Sequence, residues 1–264
     1  SRDLRNSYEA VYFIGDDKVK QLGSEDIETV RLVDEGNADW VLAQTNAGYR
    51  INQQWEGRSS SDVYKMDLIS GDKKLIVKNN LGFSTASPAG KFVYWYNPKE
   101  QQYFAYDVEK EVIRNITSKI KEPIYDVLND VPDYAGAMGV EGWLADDKYV
   151  LIKGVYDIFK VDPTGVEAPQ NLTNGYGQKN KIEFSYVNFD REKRFIEPKE
   201  TIILSAQNKV NKYGGIFSKK MNVAGDPTLL RLTANSYAAP MKAKHAEKYL
   251  VQIADISQSE LYVS

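Results

Sequence analysis

Cysteine is absent from this 264-residue chain, and histidine occurs once, at His245. The first absence excludes disulfides and thiolate metal sites, and the second leaves too few imidazoles for a transition-metal centre of the usual kind. Neither fixes the compartment, because exported proteins without cysteine are common. No apolar run approaches the about 18 residues that a membrane-spanning helix needs. Charge of one sign is also lacking: 34 Lys and Arg stand against 37 Asp and Glu, a net charge of -3. Such a balance supplies no basic field for a nucleic-acid backbone, so nucleic acid is not expected as a partner. No Gly-rich loop precedes a helix, so no phosphate cradle is expected, and no cofactor is implied. Helical periodicity is scarce, with Ser118 to Asn129 holding a turn or two at most.

What the chain does have is strand chemistry. Hydrophobic residues make up 42%, enough for a core, and there are 18 tyrosines, a residue that suits strands better than helices. The stretch Trp143 to Thr173 shows the pattern in full. A polar turn (Asp146-Asp147-Lys148) leads into the apolar strand Tyr149 to Ile152. The strand Asp157 to Asp162 follows, then the turn Pro163-Thr164-Gly165, then a short closing strand ending in Asn171-Leu172-Thr173.

That unit repeats. Apolar strands after polar turns start near Trp40, Phe92, Tyr149, Thr201 and Tyr249, at steps of 52, 57, 52 and 48 residues. A second element follows as Val63 to Asp67, Tyr103 to Asp107 and Ile158 to Asp162, with weaker copies at Ile216 to Ser218 and Leu261 to Val263. A third closes three units: Asn115-Ile116-Thr117, Asn171-Leu172-Thr173 and Arg231-Leu232-Thr233. Periods of this length mark repeat architectures. A four-stranded antiparallel sheet has two faces to bury, and packing successive sheets around an axis buries both. The expected fold is therefore all-β, a partial or whole β-propeller of about five blades. A β-sandwich would show stricter alternation along its strands and leaves the long repeat unexplained.

The chain reads as a single propeller domain or fragment over 1–264. Approximate blades are 1–25 (partial), 26–82, 83–135, 136–190, 191–235 and 236–264 (partial). The hairpin formed by Ala10 to Ile14 and Lys18 to Leu22 reads as the last two strands of an earlier blade. The opening Ser-Arg-Asp-Leu-Arg carries neither an initiator Met nor a signal peptide, and Leu261 to Ser264 reads as mid-strand. Both ends predict a piece of something longer.

Candidate chemistry is thin. Gly82-Phe83-Ser84-Thr85-Ala86 is the nearest string to a nucleophile elbow, but it lacks the second glycine and the following helix. Ser84 and His245 therefore read as loop residues rather than triad members. Asp126, Asp130 and Asp133 carry carboxylates without the spacing of a calcium loop, and they read as a solvated acidic segment. They lie in the long connection Glu122 to Gly142, a length often functional or mobile. Paired carboxylates for sugar hydrolysis do not stand out by spacing. Asn115 and Asn171 fit the glycosylation sequon, yet their recurrence at one place in the unit reads as strand endings. Tyr94-Trp95-Tyr96 reads as packing between blades rather than as a binding strip.

The strings Ser87-Pro88-Ala89-Gly90-Lys91-Phe92-Val93-Tyr94-Trp95, Tyr156 to Pro163 and Asn171 to Gly177 together resemble the propeller region of bacterial prolyl oligopeptidase family (S9) serine peptidases. The resemblance is to the large exported type, akin to dipeptidyl and acylaminoacyl peptidases. It runs from about Asp62 to Ser264 and is specific over Ser87 to Gly177. The piece Ser-Pro-x-Gly-Lys is shared with TolB-like propellers.

This resemblance implies a non-catalytic propeller that gates and positions peptide substrates for a C-terminal α/β-hydrolase domain of the same parent chain. It implies a periplasmic or extracellular location, and no triad residue falls within this sequence. Dipeptidyl members hold a substrate amine with adjacent glutamates, and no Glu-Glu pair occurs here. Glu141, beside Gly142 and Trp143, is the loop acid placed to contact a peptide. A free-standing TolB-like propeller serving as a protein-binding scaffold is the alternative, and a glycosidase-like propeller a third reading.

Overall fold

A computed structural model describes residues 7–51, 57–190, 192–238, 240–246, 248–254 and 259–263. The chain divides into two compact units, Ser1–Asn115 and Ile116–Ser264. No Pro- or Gly-rich linker marks the division.

The first unit opens with a hairpin of β1 (Ala10–Phe13) and β2 (Lys18–Gln21), turning through Asp17 at a positive φ. Next comes a meander of β3 (Thr29–Leu32), β4 (Trp40–Thr45), β5 (Ser61–Asp67) and β6 (Lys73–Asn80). It is followed by a second meander of β7 (Ser84–Ala86), β8 (Phe92–Asn97), β9 (Gln102–Asp107) and β10 (Val112–Asn115). In each, strands pair antiparallel in sequence order.

The second unit repeats the plan. One meander holds β11 (Val140–Trp143), β12 (Val150–Lys153), β13 (Ile158–Val161) and β14 (Gln170–Asn171). A five-residue helix, α1 (Tyr176–Asn180), leads into β15 (Ile182–Tyr186), β16 (Thr201–Asn208), β17 (Gly214–Lys220) and β18 (Thr228–Thr233). In the last sheet β21 (Tyr249–Ala254) pairs β19 (Ser236–Tyr237) and β20 (Met241–Lys242), and also β22 (Ser259–Val263). The chain is all-β, and its four-stranded meanders are β-propeller blades. Ser118 to Asn129, where the sequence allows a turn or two at most, holds no helix. The short helix sits at Tyr176–Asn180 instead, where Asp157 Oδ1 and Oδ2 accept the Gly177 and Gln178 N–H groups at 2.9 and 3.1 Å.

The second strand of the first full meander, β4, is apolar on both faces because each face meets a different cluster. Along β4, Trp40 and Leu42 enter one cluster with Val33, Val63, Val93, Trp95 and Tyr106. Val41 and Ala43 alternate onto the other face, with Leu22, Ile27, Val30 and Met66. Trp95 stacks on Phe104 with centroids 6.0 Å apart, so the aromatic run of β8 is packing material. In the second unit Phe184 and Phe217 are wholly buried and meet edge to face at 5.0 Å.

Turn chemistry recurs with the repeat. The third strand ends on Asp67 in one meander and on Asp107 in the next, and in a third it is followed directly by Asp162; each carboxylate caps its own turn. Asp67 Oδ1 accepts the Ile69 and Ser70 N–H groups at 2.9 and 2.7 Å. Asp107 Oδ1 accepts those of Glu109 and Lys110 at 3.1 and 2.9 Å. Asp162 accepts those of Thr164 and Glu167 at 2.8 and 2.9 Å. Before β8, Gly90 holds φ 71°, and a Cβ there would lie 2.6 Å from Val33 Cγ1. That fixes glycine in the Ser87-Pro88-Ala89-Gly90 turn.

Candidate functional site

Glu141 lies on β11, the first strand of its meander. Val140 pairs Ile152 while Gly142 pairs Leu151, so Glu141 is the extra residue of a β-bulge. A bulged residue drops out of the ladder and its side chain is re-aimed. Gly142 seats the bulge, since a Cβ there would come within 3.0 Å of Ile196 Cδ1. The Glu141 carboxylate turns toward β15, where its Oε2 accepts the Tyr186 N–H at 2.9 Å.

β15 reads Ile182-Glu183-Phe184-Ser185-Tyr186, and its alternation sorts the residues. Ile182, Phe184 and Tyr186 pack into the core cluster, while Glu183 and Ser185 share the opposite face. Lys153, the last residue of β12, reaches that face. Its Nζ donates to Glu183 Oε1 at 2.7 Å and to Ser185 Oγ at 2.6 Å. Lys209 Nζ donates to the other oxygen, Glu183 Oε2, at 2.7 Å. The result is a half-buried cluster of two carboxyls and two ammoniums, with Lys153 and Glu183 only 13% and 21% exposed.

The two carboxyls titrate in opposite directions. Burial pushes Glu141 up, and the charge of Lys153 and the Tyr186 N–H only partly offset it. Burial also acts on Glu183, but the hydrogen bonds from Lys153 and Lys209 outweigh it and hold that group below the usual range. The Tyr186 hydroxyl is pushed up to about 12 by burial and by the charges of Glu200 and Asp190. Glu183 is thus a fixed anion, and Glu141 is a poorly solvated carboxyl able to accept a hydrogen bond or hold a proton.

Of the residues weighed from sequence, Glu141 stands in this cluster. Glu183, Ser185, Lys153 and Lys209 were missed. The signal for two of them was available in the strict alternation of Ile182 to Tyr186. Ser84 is wholly buried in β7, its Oγ accepting the Asn80 side-chain amide at 2.9 Å, a structural engagement. His245 is exposed in the turn before β21. Asp126 Oδ1 caps its own loop at Leu128 N–H, 2.9 Å away, and Asp133 Oδ1 takes the Tyr134 N–H at 2.8 Å. Among the described residues no group of three or more His, Cys, Asp or Glu is arranged to hold a metal. Asn115 and Asn171 are the last residues of β10 and β14, and the sequon threonines Thr117 and Thr173 are wholly buried.

No protein-family model matches the sequence, and no curated protein matches it. Solved structures do. The β-propeller domain of the Trilobed protease from Pyrococcus furiosus is similar at 8% identity and a TM-score of 0.41, over 94% of this chain and 70% of that one. TolB from Acinetobacter baumannii is similar at 13% identity and a TM-score of 0.41, over 94% of this chain and 54% of that one. Acylaminoacyl peptidase from Pyrococcus horikoshii is similar at 11% identity and a TM-score of 0.36, over 90% of this chain and 44% of that one. The chain therefore spans only about half the length of the latter two.

Proposed function

We propose that this chain is the non-catalytic propeller region of an exported S9-type serine peptidase. In this reading it admits and positions peptide substrates for an α/β-hydrolase domain borne by the same parent protein, in the periplasm or outside the cell. The observation that carries the reading is the bulge at Glu141. It places a desolvated carboxyl on the first strand of one blade beside Glu183 and Ser185 on the first strand of the next, with Lys153 of the intervening β12 reaching both of these. Bulges that re-aim a side chain are over-represented beside active sites. The Ser87 to Gly177 resemblance is the second support. A peptide offers N–H groups and an amine to such a carboxyl. Binding energy gathered away from the scissile bond is then available at the reacting centre.

The test pairs a fluorophosphonate serine-hydrolase probe with a peptide assay. The complete product of the gene is expected to label, and this chain alone is not. Glu141→Gln in the complete product is expected to lower kcat/KM for peptides by about tenfold, without changing probe labelling. If neither protein labels, the peptidase reading fails, and the TolB-like scaffold becomes the reading to pursue through partner capture.

A further inference from the structure

The first unit holds a cavity of about 370 Å³ that none of the chemistry above uses. Its wall brings together Arg31 of β3, Ser59 ahead of β5, Ser61 at the start of that strand, and Phe83 ahead of β7. The Arg31 guanidinium carbon sits 5.1 Å over the Phe83 ring centroid. Phe83 is 79% exposed, an unusual place for a phenylalanine. The backbone on both sides of it is pinned so that the ring cannot retreat inward. Asn80 Nδ2 donates to Gly82 O at 2.6 Å and to Ser84 Oγ at 2.9 Å, and Gln44 Nε2 donates to Ser84 O at 3.0 Å. Gly82 itself packs so closely on the Tyr96 carbonyl that a Cβ could not be accommodated.

The charge on this wall is unbalanced. A second guanidinium, Arg58, lines it together with Arg31, and the one carboxylate of the lining, Glu28, accepts the Asn46 N–H at 3.1 Å and is paired with Arg50. No carboxylate of the described residues reaches Arg31. A guanidinium is a planar fork matched to a carboxylate, and here it lies against a fixed aromatic ring in a small cavity lined by hydroxyls. We infer that the cavity binds a carboxylate borne on an apolar or aromatic group. The carboxylate takes the Arg31 fork, and the apolar part lies against Phe83. A volume near 370 Å³ suits one such group. The carboxylate belongs either to a free organic acid or to the C-terminus of a peptide, and the two share this chemistry. The inference does not depend on the peptidase reading.

Calorimetric titration of this chain with 3-phenylpropionate, the dipeptide Ala-Phe and its C-terminal amide tests it. Both acids are expected to bind, the amide about tenfold more weakly than Ala-Phe, and added salt to weaken only the acids. Arg31→Gln is expected to erase the acid–amide difference, and Arg31→Lys, which keeps charge without the fork, to restore part of it. Phe83→Ala is expected to weaken all three ligands. Tighter binding of Ala-Phe than of phenylpropionate assigns the site to peptide C-termini, and the reverse order to small acids. Equal binding of acid and amide by the unmodified chain overturns the inference. So does an acid preference that survives Arg31→Gln, or no binding of either acid at about 10 mM. Should Arg31→Gln fail to fold, the acid–amide and salt comparisons on the unmodified chain carry the test.

Discussion

Glu122 is a carboxyl group placed where its charge is poorly supported. Its Oε1 accepts the Tyr156 and Asp157 N–H groups at 2.6 and 3.0 Å, but its Oε2 is buried with no partner among the described residues. Burial raises its pKa; the two N–H groups oppose that, and the Asp157 charge adds to it. Its folded pKa therefore lies above the about 4.3 of an unfolded glutamate. The stability tied to this proton is fully present below about pH 4.3 and is lost as pH rises through the folded value. Glu122→Gln is accordingly expected to raise the thermal midpoint at pH 7 and leave it unchanged at about pH 4. Scanning calorimetry at the two pH values decides it. Asp162 is the opposite case. Burial would raise its pKa, but four donors, the Thr164 hydroxyl and the Thr164, Val166 and Glu167 N–H groups, outweigh that and hold its carboxyl below the usual range. Its contribution is present above about pH 3.9 and fades as pH falls through the lower folded value. Asp162→Ala is expected to cost about 2 kcal/mol at pH 7, and less in acid, by urea unfolding. The two residues also differ in legibility. Asp162 recurs at the end of a repeated strand with Asp67 and Asp107, so its turn-capping duty is written in the pattern. Glu122 meets Tyr156 and Asp157 only through long-range folding, and no local spacing announces that.

At the scale of strands, the meander plan was legible and the charged cluster was not. Apolar runs after polar turns located β4, β8, β12, β16 and β21; in β4 and β12 burial on both faces leaves no polar gap, whereas β16 buries only alternate residues. The alternation of β15 was equally visible, but its meaning needed Lys153 and Lys209, which come from other strands. Glu141 could be picked out as a loop acid. Its direction could not, because a bulge is a mismatch between two strands and one strand's sequence does not contain it. Lys153 is the residue on which this cluster turns, since it bonds Glu183 and Ser185 and its charge opposes the effect of burial on Glu141. Lys153→Met is expected to cost about 2 kcal/mol. That is below the about 3–5 kcal/mol of a fully buried broken pair, because Lys209 still holds Glu183. A double-mutant cycle with Glu183→Gln should return a coupling of about 1–2 kcal/mol, whereas additive effects would show the two groups to be independent. On the other face of β15, Phe217→Ala removes a wholly buried ring that meets Phe184 at 5.0 Å. Its expected cost is about 3–5 kcal/mol in the same assay.

At the scale of the chain, the question is what one cooperative unit is. Repeat architectures gather their stability from each unit and from the interface it makes with its neighbour, so autonomy depends on how many interfaces a segment keeps for itself. Ser1–Asn115 keeps two core clusters wholly inside it, one joining β4 and β5 to β8 and the other packed on the far face of β4. Ile116–Ser264 keeps the large cluster that runs from Leu144 through Phe184 to Met221. No shift in composition marks the division, because Asn115-Ile116-Thr117 is one copy of a strand ending that Asn171-Leu172-Thr173 repeats inside the second unit. The boundary is a property of packing, which the sequence encodes only through which apolar residues meet. The four tryptophans allow it to be tested, since Trp143, at 4% exposed, is the one that falls in the second unit. Expressed separately, fragment 1–115 is expected to unfold cooperatively in urea with a tryptophan red shift from Trp40 and Trp95. Fragment 116–264 is expected to do so through Trp143 alone. A gradual, non-cooperative loss of β-sheet circular dichroism in either fragment would mean that its internal clusters do not suffice. The cooperative unit would then be larger than the segment that its contacts delimit.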